Sequence, residues 1–298
     1  MTHDGRRAAG MPGGEDETRP RFSDIDAWGV THVGKVREEN QDYFFVGGLA
    51  RENGEIRVVT AEEEAEAPDD LDRAATLAVV ADGVGSAAGG GEAARMAVRG
   101  LVSAVADSFE EARLAESRDP EAFSKLLHHA ALTCHEKLLR KGREEGGGPT
   151  FATTLTLFLG FWPHAYLLQV GDSRCYILRG DSLTQISRDQ TLAQELVDRG
   201  IMSRTKAEKT RWANVLSSAV GGEQAVPVVT RVVRDWGNVI LMCSDGLTKH
   251  VSDERIEEHL RAMTSARQVA SDLLKEALDD GGTDNITVVV GRTLPRQP

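Results

Sequence analysis

Several aspartates stand where a folding chain has little reason to put an anion. Asp82 (VVADGVG), Asp172 (LQVGDSR) and Asp245 (LMCSDGL) close apolar runs. Asp284 (GGTDNIT) immediately precedes another, and so does Asp42 (ENQDYFF). Burying an unpaired carboxylate at a strand end is unfavourable by several kcal/mol. One such Asp is a turn or a helix cap. A set of them, most flanked by small residues that let a backbone come close, points to a shared site. Hard divalent cations such as Mg²⁺ and Mn²⁺ take carboxylate, carbonyl and water oxygens. Two such ions about 4 Å apart activate a bridging water and clamp a phosphoryl group.

Other chemistries fit less well. The eight histidines form neither HxH nor HExxH, which disfavours a zinc hydrolase. Gly83-x-Gly85-x-x-Ala88 follows an apolar run and precedes helical spacing, much like a dinucleotide-binding fingerprint. The second strand ending in an acid, needed about 20 residues on, is replaced there by helical sequence, Leu101 to Asp107. An Asp directly before the first Gly would also face a pyrophosphate with like charge. Neither GxxxxGK[ST] nor GxSxG occurs.

The elements that must position these aspartates follow from periodicity. Strands are expected at Ile25–Thr31, Tyr43–Val46, Thr76–Ala81, Thr153–Leu159, His164–Val170, Cys175–Leu178, Val226–Val233, Asn238–Cys243 and Ile286–Gly291. Helices are expected from Glu92 to about Arg113, from Pro120 through Leu139 to a stop at Gly146–Gly148, and over Asp253–Met263 and Ala266–Leu278. The order is strands, two helices, strands, two helices, strand. It is not the βαβα alternation of a parallel sheet, and it favours an α+β layered domain with antiparallel sheets.

The chain has 298 residues and a formal charge of −12. A surface this acidic repels nucleic acid and anionic lipid, so neither is an expected partner. Residues 51–75 hold nine acids against three arginines, half the total charge, and read as a solvated loop between strands. Residues 187–214 are polar, helical in part and net basic, with six Lys/Arg against four acids. Three widely spaced cysteines, Cys134, Cys175 and Cys243, build no disulfide framework and read as buried apolar residues. No apolar stretch is long enough to span a membrane, and Met1 to Pro20 lacks an apolar signal segment. A cytoplasmic, monomeric protein is expected. Its expected divisions are a disordered tail over 1–22, one domain over 23–293 and a tail over 294–298.

The ordered set VREENQD (36–42), VADGVGS (80–86), TFATTLT (150–156), VGDSR (170–174), CSDGL (243–247) and GGTDNITVVV (281–290) resembles the metal-dependent serine/threonine protein phosphatases of type 2C, bacterial branch. The match runs from about Asp24 to Arg292 in the right order. The resemblance implies a four-layer αββα sandwich: two antiparallel sheets with helices on both outer faces. It implies two Mn²⁺ or Mg²⁺ ions, with a third, weaker position in bacterial members. Asp82 would bridge two ions and the Gly83 carbonyl would bind the first. Asp245 and Asp284 would complete the second, and Asp172 with Asp245 would make the third. Asp42 would hold metal-bound water, and Arg37 would grip the substrate phosphate. Residues 187–214 correspond to the flap beside the site. The implied reaction is hydrolysis of phosphoserine and phosphothreonine in proteins by a water that bridges two metals and attacks phosphorus in line. The implied partners are phosphorylated proteins, with a serine/threonine kinase or its targets as the natural candidates.

Four positions depart from the family pattern. Gln41 stands where many members have Glu. Asp-Gly-Val-Gly-Ser replaces Asp-Gly-x-Gly-Gly. Val84 occupies the place of a His proposed as general acid in some eukaryotic members. Phe151-Ala152-Thr153-Thr154 replaces a Met/Gly start of the Gly-Thr-Thr motif. None removes a metal-binding Asp. The alternative function is a phosphoprotein-binding regulatory module of low activity on the same fold, which degraded metal ligands would mark.

Overall fold

The computed structural model describes residues 20–66, 71–84, 89–144, 151–207, 209–233 and 235–294. The chain forms β1 (Ile25–His32), β2 (Tyr43–Glu52), β3 (Glu55–Thr60), α1 (Ala61–Ala65), β4 (Asp72–Ala81) and β5 (Gly83–Val84). Two long helices follow, α2 (Gly89–Glu116) and α3 (Ala122–Glu144). Then come β6 (Ala152–Thr153), β7 (Leu155–Phe161), β8 (His164–Val170), β9 (Arg174–Arg179) and β10 (Ser182–Gln185). The segment after β10 holds α4 (Leu192–Asp198) and α5 (Arg204–Ala207). The rest is β11 (Val228–Val233), β12 (Val239–Cys243), α6 (Asp245–Thr248), α7 (Asp253–Arg261), α8 (Ala266–Asp279) and β13 (Ile286–Thr293).

Two large antiparallel sheets result, with orders β1-β13-β12-β9-β10 and β11-β8-β7-β4-β2-β3. Central strands are apolar on both faces because each sheet is covered twice. On β4, Leu77, Val79 and Ala81 face α2 and α3, where they meet Leu101, Phe109 and Leu127. Val80 points the other way, into a layer shared with Ile177, Met242 and Val289 of the second sheet. On β13, Ile286, Val288 and Val290 pack under α7 and α8 against Ile256, Leu260, Val269 and Leu273. The architecture is the expected helix–sheet–sheet–helix sandwich. Cys175 lies in the inter-sheet layer and Cys243 under the helices, so these neighbours on paired strands face apart and are free thiols.

The stretch 51–75 corrects an expectation. Its described residues are not one loop: β2 runs on to Glu52, β3 returns beside it, and β4 already starts at Asp72. Helix α1 is capped by Thr60, whose side chain accepts from the Glu63 N–H while the Glu63 side chain accepts from the Thr60 N–H. That reciprocal cap offsets the mutual repulsion of three adjacent glutamates. Glu64 turns inward to Arg73 at 3.0 Å. The expected stop at Gly146–Gly148, residues 1–19 of the expected tail, and 295–298 lie outside the described residues. Strands β5 and β10 and helix α6 are further additions to the expected elements.

Candidate active site

The aspartates converge because the strands that carry them end on one side of the sandwich. Asp82 follows β4, Asp172 follows β8, Asp245 follows β12 and Asp284 precedes β13. All four, with Gly83 and Arg37, line one cleft of about 910 Å³ that the segment 187–214 borders through Leu192, Glu195 and Asn214. Asp82 comes from one sheet, and Asp245 and Asp284 from the other, so the cleft straddles the interface between sheets.

Hydroxyl and amide groups fix each turn. Thr154 N–H and Thr153 Oγ1 donate to the Asp82 carbonyl at 2.8 and 2.9 Å, and the Asp82 N–H donates to Thr154 Oγ1 at 2.9 Å. Asn285 binds the segment that carries Arg37. Its Nδ2 donates to the Val33 and Glu39 carbonyls at 2.9 Å, and its Oδ1 accepts from the Gln41 N–H at 2.9 Å. Gly34 crosses the Asp284 backbone with φ +84°, where a Cβ would strike the Asp284 carbonyl. His250 takes the Thr283 N–H on Nε2 at 2.9 Å, which leaves its Nδ1–H to face Asp280 at 3.2 Å. Thr154, Asn285 and His250 therefore position the site, although none is a carboxylate at a strand end.

Asp42 lies beneath the cleft and is buried. Its Oδ2 accepts from Ser244 and Thr287 hydroxyls, each at 2.7 Å. Its Oδ1 has no partner, and neither does Asp245 Oδ1. Burial first, and the fields of neighbouring acids second, raise the whole group. Asp42 is pushed up to about 6 and Asp172 to about 7. Asp82 rises well above the carboxylate range because burial is joined by Asp42, Asp245, Asp172 and Asp284. Burial raises Asp245 as well. Asp284 is the exception: burial pushes against it, but hydrogen bonds from Arg37 and Lys249 hold it below the usual range.

Two side-chain cations account for that. Arg37 binds Asp284 as a fork, Nε to Oδ1 at 2.7 Å and Nη2 to Oδ2 at 3.0 Å. The Lys249 ammonium bridges Asp245 Oδ2 at 2.6 Å and Asp284 Oδ2 at 2.8 Å. Among the described residues no three acid, histidine or cysteine side chains already converge as a finished cage. The oxygen donors nevertheless suit hard divalent ions. Two of these aspartates hold a buried oxygen with nothing to bind, and a cationic nitrogen already stands between Asp245 and Asp284.

The protein phosphatase 2C family profile matches residues 65–280. The chain belongs to that family. It is 33% identical over 225 residues to the serine/threonine protein phosphatase PstP of Mycobacterium tuberculosis, a match that covers 74% of this chain and 41% of that protein. The chain thus spans well under half the length of this relative. It is 31% identical over 215 residues to the serine/threonine phosphatase stp of Listeria innocua, covering 72% of this chain and 83% of that protein. Among solved structures, the M. tuberculosis phosphatase PstP/Ppp superposes with a TM-score of 0.73 at 28% identity, over 91% of this chain and 99% of that one. The catalytic domain of PstP in complex with two manganese ions superposes at 0.68 and 26% identity, over 91% of this chain and 99% of that one. The protein phosphatase 2C sandwich is therefore the fold of this chain. Among the described residues no helix is long and apolar enough to cross a membrane.

Proposed function

We propose that this chain hydrolyses phosphoserine and phosphothreonine in proteins with the help of Mn²⁺ or Mg²⁺. The observation that carries the reading is the meeting of Asp82, Asp172, Asp245 and Asp284 in one cleft with Arg37. Asp82 and the Gly83 carbonyl would hold one ion, Asp82 with Asp245 and Asp284 a second, and Asp172 with Asp245 a weaker third. Bound there, divalent ions supply Lewis-acid stabilisation of phosphoryl charge and lower the pKa of water.

The chain's own residues do the rest. The planar guanidinium of Arg37 matches two phosphoryl oxygens as it now matches the two oxygens of Asp284, so it exchanges one fork for the other when substrate arrives. Arg37 is half-exposed, which leaves it free to turn. Asp42 keeps its place through Ser244 and Thr287, and its second, unpartnered oxygen is suited to orienting a water. The flap carries exposed Arg199, Arg204, Lys206 and Arg211 beside the cleft, a surface that suits a phosphorylated protein. The reading places the activity in the cytoplasm, in a monomer whose functional unit is 23–293, on proteins phosphorylated by a serine/threonine kinase.

The test is hydrolysis of p-nitrophenyl phosphate and a phosphopeptide panel with Mn²⁺, comparing wild type with Asp82→Asn. A loss of about 10³-fold or more is expected if the shared ligand is removed. Full activity in the variant would sink the assignment.

A further inference from the structure

We propose that Lys249 is a built-in competitor for one divalent ion: its ammonium holds the Asp245–Asp284 pair in the metal-free protein and leaves that position when an ion binds there. The inference rests on the reading that these two aspartates share an ion.

The backbone puts Lys249 in place. Its N–H closes the single turn of α6 on the Asp245 carbonyl at 2.9 Å, so the side chain rises beside the carboxylate one turn earlier. From there Nζ reaches both acids within hydrogen-bond distance. An ammonium has three donors and no acceptor, so it cannot become a ligand to a cation. The ion and Lys249 therefore exclude each other by charge and by space. With Arg37 on Asp284 as well, two carboxylates face two side-chain cations, and an incoming ion meets a locally neutral pair instead of a doubly negative one.

The side chain can also leave. Lysine is a point charge on a flexible stem, and this one is 29% exposed. It borders both the main cleft and an adjoining pocket of about 210 Å³ under the flap, whose wall includes Asp172 and Asp189. A displaced ammonium thus has an adjoining open pocket to turn into. Lys249 sets how much free metal the site needs, and it keeps the two acids neutralised when metal is scarce.

The experiment is calorimetric titration of Mn²⁺ into the chelator-stripped 298-residue chain: wild type, Lys249→Met, Lys249→Gln, Lys249→Arg and Asp245→Asn. Asp245→Asn should lose the weaker third site and, with it, the site shared by Asp245 and Asp284, which tests the underlying assignment alone. At that same site Lys249→Met and Lys249→Gln should bind Mn²⁺ about tenfold tighter or more, as expected for removing one unit charge at contact distance. Lys249→Arg, which keeps the charge, should stay near wild type. Two uncharged variants are used so that poor folding of one does not decide the matter. Unchanged or weaker binding in both, with Asp245→Asn still losing a site, overturns the competition and leaves the metal assignment standing. If Asp245→Asn keeps every site, the assignment fails and the competitor with it.

Discussion

Glu64 lets burial and charge be weighed against each other at one residue, far from the cleft. Its carboxylate lies 3.0 Å from Arg73, and the two side chains are 12% and 6% exposed. Arg73 pulls the group down, but burial outweighs it and pushes Glu64 up to about 7 from the ordinary 4.5. A carboxyl raised on folding binds its proton more tightly in the folded state than in the unfolded one. Its contribution to stability is then complete below pH 4.5 and is lost as pH rises through 7. At about 1.4 kcal/mol per pKa unit, the part of that loss between pH 5 and 8 comes to about 2 to 3 kcal/mol. Glu64→Gln keeps the shape and an acceptor for Arg73 but cannot titrate. Urea denaturation of both proteins at pH 5, 6, 7 and 8, in chelator and at fixed ionic strength, gives two stability curves. Every other titrating group is common to both, so their difference belongs to Glu64, and any constant offset from the altered pair drops out. Wild type should lose about 2 to 3 kcal/mol relative to the variant across this range. A flat difference, or one of opposite slope, refutes the reasoning: the Arg73 pair would then dominate and Glu64 would be ionised throughout.

Three further outcomes follow from the geometry. Gly246→Ala drives a Cβ into the Asn285 carbonyl, so the variant should melt earlier by several degrees and lose most phosphatase activity, read by thermal unfolding and the same phosphate-release assay. His250→Ala frees the Thr283 N–H; about 1 kcal/mol of stability should go, with weaker Mn²⁺ binding by calorimetry, and His250→Asn should recover part of both. In chelator, Asp82→Asn should be more stable than wild type at pH 8, since it removes a buried carboxyl whose ionisation burial and four neighbouring acids oppose, and the order should reverse once Mn²⁺ is added.

How far the sequence speaks depends on how local the signal is. The limits of β8, predicted over His164–Val170, are met because a run buried on both faces ends where Gly171 and Pro163 end it. Asp82, Asp172, Asp245 and Asp284 were legible as a group because a carboxylate at the end of an apolar run is anomalous wherever it occurs. The acidic stretch misleads because charge density is the louder signal there. The Thr60-x-x-Glu63 cap that starts α1 was present in the letters, and so was the run Ile56-Arg57-Val58-Val59 of β3, β-branched at all but Arg57. Lys249 and His250 carry no mark of their own. Their roles arise only when α6 is set against the loop before β13, some 35 residues away in the chain, and no periodicity reports a contact of that range. Asn285 sits inside a recognisable motif, yet its task of tying down Gln41 and Glu39 is visible only in three dimensions.

The pairing of β1 with β13 also decides where anything attached to this domain would hang. Ile25 lies opposite Thr293 at one end of the pair and His32 opposite Ile286 at the other, next to Asp284. Eight residues of strand separate these ends, roughly 25 Å at 3.3 Å per residue. Both chain exits of the domain therefore open on the side away from the cleft, and side by side. A fluorescent reporter, a surface tether or a second domain joined there would leave the approach to the cleft clear, and one linker could join both exits without crossing it. Immobilising the protein through either exit for single-molecule work should thus preserve turnover, whereas a handle placed on α4, which borders the cleft, should not.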